Sequence, residues 1–422
     1  MTLVAIDDTD SRERGMCTTY LAALLGERLA DVGGPPTRHL LVRLNPAVEH
    51  KTRGNAALAV HTDIAPETAL DLAASLVDRH AETGDERTSP GVVVAPGAPD
   101  AVPADVAAFA RAAVRDHHAL DDALALAARA GYRHRGWSGG RGRIGALAAV
   151  GAWRAFDEWT YERISYRALD RCGTPRDVDD ASVLAAADAA YPDAWDTVDR
   201  IEGEAVCVPA APGPVLHGVR GDDPSTVERV ADAIDAEPVS RAVTFVTNQG
   251  TDAHLRDAAL ADVGDGRSYR VDGTVITAPE TRAGGHVFVT LGDGDARLDA
   301  VAFEPTKRFR DRVRALRPGD EVTACGEVSD GTLKLEKFAV RSLDRTERAT
   351  PDCPDCGRSM ASAGQDQGYR CRDCGTTAPG KVERRVDRDL DPGWYEVPPC
   401  ARRHVAKPLA RGGFDAPTHP ER

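Results

Sequence analysis

Of the 53 basic residues in this 422-residue chain only 6 are lysine, and at a formal net charge of −14 there is no general excess of positive charge. That excludes a protein that meets nucleic acid through a field spread over its whole surface, so any such contact has to come from local patches. A run of 18 apolar residues is also missing, which excludes a membrane-spanning helix. The apolar stretch 3–6 is too short for a signal-peptide core before Asp7 and Asp8 intervene. A cytoplasmic protein is expected. No GxxxxGK[ST] occurs, so any use of ATP does not rest on a P-loop. The nine cysteines lack the layout of a disulfide framework: four fall in two CxxC pairs and the others stand singly, which suits metal binding in a reducing compartment. Internal repeats are absent as well.

The length implies several domains, roughly three or four of about 100 to 150 residues each. Charge is unevenly shared among them. Residues 341–422 hold 15 Lys+Arg against 13 Asp+Glu, so the negative excess lies in the first 340 residues. An acidic, alanine-rich, lysine-poor balance suits concentrated salt. There phosphate contacts weaken through counterion effects, and stacking, shape and metal-bridged contacts have to contribute more.

Periodicity orders the elements. A short β run at 3–6, a loop over 7–15 and apolar residues at helical spacing from Leu21 to Val32 read as strand, loop, helix. Strands at 40–44 and 57–60 flank a polar loop, and two alanine-rich helices surround a strand at 92–94. Residues 160–166, 183–190, 204–208, 214–219, 224–235 and 239–247 read as βαββαβ, the ferredoxin-like unit. Five strands follow (269–277, 286–291, 297–303, 320–328 and 332–341), with a helix at 306–315 between the third and fourth. An OB barrel has that order. Gly273 lies inside the first of them, where a tightly curled strand needs a residue without Cβ. Phe288, Phe303, Phe309 and Phe338 are available to stack on bases, although barrel spacing assigns some of them to the core.

Cys353-x₂-Cys356 and Cys371-x₂-Cys374, 14 residues apart, have the spacing of a structural four-thiolate zinc site. Gly357 and Gly375 follow the second cysteine of each pair and let the chain turn around the metal. Such a site has no open position, so its zinc holds the fold and does no chemistry. Cys400 reads as an ordinary cysteine or as a late addition to the ribbon.

Asp7, Asp8 and Asp10 crowd the carboxyl end of the first strand, where α/β sites lie. Three carboxylates in one loop read either as a Mg²⁺-phosphate platform or as a plain acidic turn. Thr18, near the start of the next helix, is a phosphate ligand or an N-cap. Lys51, Arg53 and Asn55 surround Gly54 with cations and an amide, suited to phosphate or RNA backbone and equally to a solvated loop. The segment 138–145 contains Gly140, Arg141, Gly142, Arg143 and Gly145. It has the letters of GxGxxG, but no strand is expected before it, so a phosphate cradle before a helix fits better than a dinucleotide fingerprint.

Taken together, Asp7-Asp8-Thr9-Asp10, the segment 15–20, Lys51 to Ala57, the glycine-rich stretch 142–151 and Asn248-Gln249-Gly250-Thr251-Asp252-Ala253-His254 resemble the archaeal isoleucine-tRNA 2-agmatinylcytidine synthetases over essentially the whole chain. The resemblance implies a multidomain α+β protein: a kinase-like α/β catalytic domain (1–158), a ferredoxin-like βαββαβ domain (159–260), an OB-fold β-barrel (268–343), and a zinc ribbon with a C-terminal tail (350–422). It implies a ligase that uses ATP, Mg²⁺ and agmatine to replace the 2-oxo group of the wobble cytidine in an isoleucine tRNA with a CAU anticodon. The base carbonyl oxygen is first activated as a phosphate ester, and the amine then expels phosphate. By the same resemblance Asp7, Asp8 and Asp10 hold Mg²⁺ on the ATP phosphates, Thr18 matches a threonine that becomes phosphorylated, and Lys51 and Arg53 meet triphosphate or RNA. Asp157 lies near a further site aspartate. Asn248, Gln249, Asp252 and His254 either contact substrate or stabilise their loop. No sequence feature points to an obligate protein partner or a membrane.

Two other readings compete. A non-enzymatic single-strand-binding protein would use only the barrel and ribbon, and a metal-dependent phosphatase or small-molecule kinase would leave them idle.

Overall fold

The structure is a computed structural model that describes residues 1–49, 51 and 54–422. Nine strands form one sheet: β1 (Thr2–Asp7), β2 (Arg38–Arg43), β3 (Ala56–Thr62), β4 (Gly91–Pro96), β5 (Arg133–Gly136), β6 (Thr160–Tyr166), β7 (Ala194–Trp195), β8 (Val215–Gly221) and β9 (Arg241–Thr247), in the order β5-β4-β1-β3-β2-β9-β6-β8-β7. The helices are α1 (Thr18–Asp31), α2 (Pro66–His80), α3 (Ala104–Ala113), α4 (Leu120–Arg129), α5 (Arg143–Ala155), α6 (Asp180–Ala190) and α7 (Pro224–Asp232).

β1 is apolar at nearly every position because both of its faces are covered. Leu3 and Ala5 join Leu40, Val42 and Val93 in a core beneath α3, α4 and α5, while Val4 and Ile6 join Leu41, Leu58 and Val94 beneath α1 and α2. This alternation is the period of two that strand geometry imposes. Gly151 lets α5 approach α3 closely, since a Cβ there would lie 2.6 Å from the Val106 carbonyl oxygen.

The last four strands have the order β9-β6-β8-β7, the ferredoxin-like arrangement expected from the sequence. One strand was expected in a different place. Residues 204–208 are irregular, and β7 takes the second position by pairing Ala194 with Gly221 and Trp195 with Arg220. Prolines at 209, 212 and 214 remove backbone donors just beyond the expected strand. The segment is pinned instead by single bonds from the Cys207 N–H to the Thr197 carbonyl and from the Gly218 N–H to the Cys207 carbonyl. The two halves of the sheet join where β2 and β9 pair in parallel, Leu40 with Val246 and Leu41 with Thr247. The sheet therefore runs across residue 158 without a break.

The barrel comprises β11 (Arg267–Val275), β13 (Val287–Asp293), β14 (Ala296–Ala302), β15 (Glu321–Ser329) and β16 (Thr332–Ser342), with α8 (Phe309–Arg314) between the third and fourth of these; β10 (Leu255–Asp257) and β12 (Glu280–Thr281) pair at its margins. It closes in the order β11-β13-β14-β16-β15-β11. Gly273 stands where expected: a Cβ would meet Leu260 at 3.1 Å and Leu291 at 3.3 Å. Phe309 and Phe338 are core residues, whereas Phe288 lies under Arg282 and Phe303 is exposed beside His286.

Beyond the barrel, β17 (Thr346–Ala349) and β21 (Val382–Arg385) pair around the ribbon strands β18 (Ala361–Ser362), β19 (Tyr369–Arg370) and β20 (Thr377–Ala378). The chain then turns back. β22 (Gly393–Glu396) pairs with β16, and β23 (Thr418–His419) pairs with β22. Between them the segment 402–411 crosses onto the ferredoxin-like part, where the Gly250 N–H donates to the His404 carbonyl at 2.8 Å and Arg411 binds Asp222 at 2.6 Å. The expected tail is thus a clasp. Among the described residues no helix is long and apolar enough to cross a membrane.

Candidate active site: two clefts that meet at Gly54

β1 ends by delivering Asp7 to the N-terminus of α5, and this contact depends on glycine. A Cβ on Gly145 would stand 2.0 Å from Asp7 Oδ2, and one on Gly142 would stand 2.7 Å from the Asp7 carbonyl oxygen. The glycine-rich segment, which against expectation follows a strand, β5, therefore allows the first turn of α5 to press against a carboxylate, although the N–H groups of Gly142, Arg143 and Ile144 already donate to the carbonyls of Ser89, Gly140 and Arg141. Asp8 takes a left-handed conformation (φ 59°), so the chain reverses and its side chain accepts the Ser89 N–H at 3.1 Å. Arg141 lies 3.8 Å from Asp8, and its own N–H donates to Ser89 Oγ at 3.0 Å.

Asp7, Asp8, Asp10, Lys51, Gly54, Asn55, Arg141, Gly142 and Gly145 line one open cleft of about 800 Å³. Burial, then repulsion from Asp8, holds the Asp7 carboxyl well above its ordinary range. Burial likewise pushes Asp8 up to about 6, against the opposing pull of the Ser89 N–H and Arg141. Arg141 offsets only part of this, so the pair favours a further cation. The donor set is hard oxygen, the chemistry that Mg²⁺ prefers.

A second, wider cleft of about 1420 Å³ opens beside the first and shares Asp10, Gly54 and Ala56 with it. Thr18 lines this cleft, its Oγ1 accepting a bond of 3.0 Å from the Thr9 hydroxyl. Its floor is charged and buried: Glu162 receives Arg220 at 3.4 Å and lies 3.9 Å from Arg43. Its far wall is the segment from Glu204 to Gly213, held by Arg176, which donates to the carbonyls of Ala211 (2.7 Å), Gly213 (3.1 Å) and Val215 (2.8 Å).

Several expected site residues lie elsewhere. Arg143 turns back to cap the carbonyls of Gly139 and Gly140, the latter at 2.8 Å, and neither Arg143 nor Gly140 lines the acidic cleft. Asp157 is exposed beyond the C-terminal end of α5, a helix whose 13 residues span about 20 Å from the end that touches Asp7. The carboxylate that reaches a cleft from this region is Glu162. Arg53 lies outside the described residues.

The loop 248–254 is a weld. Asn248 exchanges bonds with the Arg43 N–H (2.7 Å) and carbonyl (3.0 Å), extending the β2–β9 pairing through a side chain. Gln249 accepts from Arg43 at 3.2 Å and donates to Glu162 at 2.5 Å. Asp252 binds Lys337 of the barrel at 2.8 Å, and His254 meets Glu336 at 2.9 Å in full burial. Of these four residues only Gln249 touches a side chain that lines a cleft.

Glu162, Arg43, Arg220 and His404 carry no motif. Glu162 could have been found: Thr160, Glu162 and Ile164 share the buried face of β6, and a carboxylate in that register is anomalous. His404 reaches the wide cleft from the far end of the chain and leaves no local signal.

At the ribbon, Cys353, Cys356, Cys371 and Cys374 bring their sulfurs within 4.8 Å of one another, which fits one tetrahedral zinc. Gly357 and Gly375 take left-handed conformations (φ 71° and 73°) and donate to the carbonyls of Cys353 and Cys371. Cys400 is outside this group and lines the wide cleft.

Comparison with known proteins agrees with this architecture. Family models match the TiaS TCKD domain over residues 3–138, the TiaS FLD domain over 140–254, an OB-fold nucleic acid binding domain over 269–336 and the TiaS C-terminal zinc ribbon domain over 350–390. An isoleucine-tRNA 2-agmatinylcytidine synthetase TiaS from Haloquadratum walsbyi is 54% identical, with 100% of each chain covered. The crystal structure of TiaS in complex with its isoleucine tRNA and ATP matches with a TM-score of 0.91 at 40% identity over 100% of this chain and 99% of that one. A complex of TiaS with the same tRNA, AMPCPP and agmatine matches with a TM-score of 0.88 at 37% identity, again over 100% and 99%. By these matches over its full length, the chain belongs to the isoleucine-tRNA 2-agmatinylcytidine synthetase (TiaS) family.

Proposed function

We propose that this protein is the ATP-dependent ligase that joins agmatine to the 2-position of the wobble cytidine of the CAU-anticodon isoleucine tRNA. The observation that carries the reading is the meeting of an acidic, helix-capped cleft with a wider one at Asp10, Gly54 and Ala56. A reaction that needs phosphate at one face of a base and an amine at the other requires two adjoining clefts. The binding-module reading gives no use to a buried carboxylate pair.

Asp7, Asp8 and Asp10 are the residues that would hold Mg²⁺. That ion supplies charge neutralisation at the triphosphate and polarises the phosphorus–oxygen bond under attack. Arg141 and Lys51 bind phosphate oxygens, helped by the positive end of the α5 dipole. The cytosine 2-oxygen takes a phosphoryl group from ATP as a phosphorus–oxygen bond of the triphosphate breaks and the remainder leaves; agmatine's amine then attacks C2 and gives up a proton, and the C2–O bond breaks with loss of phosphate. Thr18 lines the wide cleft together with Asp10 and is a ligand or acceptor for that phosphate. Agmatine fits the wall from Glu204 to Gly213: Glu204 offers a carboxylate to the guanidinium, and Val206, Val208 and Pro209 offer apolar surface to the methylene chain.

The four sulfurs of the ribbon hold zinc, and barrel and ribbon grip tRNA around an extruded base. We place the enzyme in the cytoplasm of a cell with concentrated internal salt, on its composition. Mass spectrometry of nucleosides from the unmodified isoleucine tRNA, incubated with protein, ATP, Mg²⁺ and agmatine in high salt, tests the reading. A cytidine heavier by agmatine less water is expected; folded protein that binds tRNA and yields no new nucleoside would overturn it.

A further inference from the structure

Of the four barrel phenylalanines available for stacking, Phe309 and Phe338 are buried in the core, whereas Phe288 and Phe303 are not. These two share one outer face. β13 sends Val287, Val289 and Leu291 into the barrel, so Phe288, and His286 just before the strand, lie on its other side. Phe303, 36% exposed just beyond the end of β14, meets the His286 ring edge to face at 5.2 Å, and the Arg282 guanidinium lies over the Phe288 ring at 4.0 Å. The arrangement is braced from below. The Glu304 N–H donates to His286 Nδ1 at 2.9 Å, Arg310 donates to the Gly285 carbonyl at 2.9 Å, and Arg314 donates to the Thr281 hydroxyl at 3.1 Å, so α8 holds the hairpin of β12 and β13. The same side of the barrel is moored to the wide cleft. One 3-10 turn after Phe303, Lys307 reaches Glu202 at 3.4 Å and Arg308 reaches Asp199 at 3.1 Å, and Asp199 is bridged to Glu204 on the cleft wall.

We infer that His286, Phe288 and Phe303 form a stacking platform for unpaired bases of the substrate tRNA outside the wide cleft. The inference rests on the tRNA substrate of the reaction proposed above and adds a surface that holds it. The charges around the platform are already balanced: Arg282 faces Glu280 at 2.9 Å, Arg310 faces Glu304 at 3.5 Å, Lys307 faces Glu202 and Arg314 faces Asp311. Such pairs leave little net charge for phosphate. The rings remain available, and every base has a π-face to lay on them; the planar guanidinium over Phe288 offers a further one. Stacking of this kind releases no counterions, so it persists in the concentrated salt to which the composition is suited, where phosphate contacts weaken. A protein partner is disfavoured, because two phenylalanines and an imidazole set among ion pairs lack the contiguous apolar area of a protein interface.

The test measures equilibrium binding of the unmodified isoleucine tRNA, without ATP or agmatine, to full-length wild type, Phe303→Leu, Phe303→Trp and His286→Ala over a range of salt concentrations. Phe303→Leu keeps the apolar bulk and loses the π-face, so it should weaken binding about tenfold, within what one stacked base contributes. The slope of log Kd against log salt should stay that of wild type, since no phosphate contact is lost. Phe303→Trp should bind at least as tightly as wild type, and His286→Ala should weaken binding at the same slope. Wild-type affinity in Phe303→Leu would overturn the inference, and so would a loss that comes with a shallower slope, the mark of a phosphate contact. His286→Ala decides in the same way if the Phe303 variants fail to fold. Binding needs no catalysis, so a wild type that holds the tRNA on this platform and makes no product would overturn the ligase reading alone.

Discussion

Gly145 and Asp7 approach so closely that a single methyl group between them would stand 2.0 Å from the carboxylate oxygen. The acidic cleft depends on this contact, since it sets the first turn of α5 beside the end of β1. Gly145→Ala should displace Asp7 or the helix at a cost of about 1–3 kcal/mol, the usual range for overpacking. Isothermal titration should show ATP binding lost or weakened at least tenfold, with circular dichroism unchanged.

The raised pKa of Asp8 predicts how stability follows pH. Its folded value lies at about 6 against an ordinary 3.8, so the protonated carboxyl favours folding. That contribution is complete below the ordinary value and disappears as pH rises through about 6; two units correspond to at most about 3 kcal/mol. Urea unfolding without divalent cations should therefore show stability falling from pH 4 to 6.5, and Mg²⁺ should restore it most strongly above pH 6. A flat profile would contradict the assignment of burial as the cause.

Arg402 predicts a different loss. It is 2% exposed and joins Asp196 and Glu396, the latter at 2.8 Å, so that clasp, ferredoxin-like part and barrel share one buried cation. Arg402→Met leaves Glu396 without its cation and Asp196 with only Arg220 at 4.0 Å, and should cost about 3–5 kcal/mol by chemical denaturation at neutral pH. Glu396 is pushed up to about 7 by burial, so the cost should shrink in acid as that carboxyl protonates.

The ribbon core is only Cys353, Met360 and Cys371 with Tyr369 and Ala378 against them, too little to hold a fold without metal. Stripping zinc with a chelator should release one ion per chain and abolish tRNA modification. ATP binding should persist, because no residue of 350–390 lines either cleft.

Agmatine specificity offers the last test. Glu204→Gln removes the charge on the wall of the wide cleft and should raise KM for agmatine about tenfold while kcat changes little, the pattern of lost ground-state binding. A fall in kcat at constant KM would place Glu204 in the chemical step instead.

What the sequence reveals follows from how local each feature is. That Asp7, Asp8, Asp10, Gly142 and Gly145 line one cleft follows from strand, loop and helix within short stretches, and the cysteine cluster follows from its spacing. The strand expected at 204–208 failed because apolar content was read without the prolines that follow it. Asp157 lies exposed after α5, and an exposed acid there looks the same in sequence as one that points into a cleft; the register of β6 marks Glu162 as the buried carboxylate nearby. Loop 248–254 could not be read at all, since its partners Arg43, Lys337 and Glu336 are far away in the chain. His404 lies 350 residues from Gly54, the residue it packs over.

The returning clasp also has a consequence for synthesis. The chain emerges N-terminus first, so the acidic cleft can form while the ribosome is still adding the barrel, but the residue that covers Gly54 arrives only after barrel and ribbon. A product cut short by a premature stop before residue 402 would carry the acidic cleft without Arg402 and His404 on the wall of the wide one. Reassignment of a codon would thereby be confined to molecules translated through the clasp.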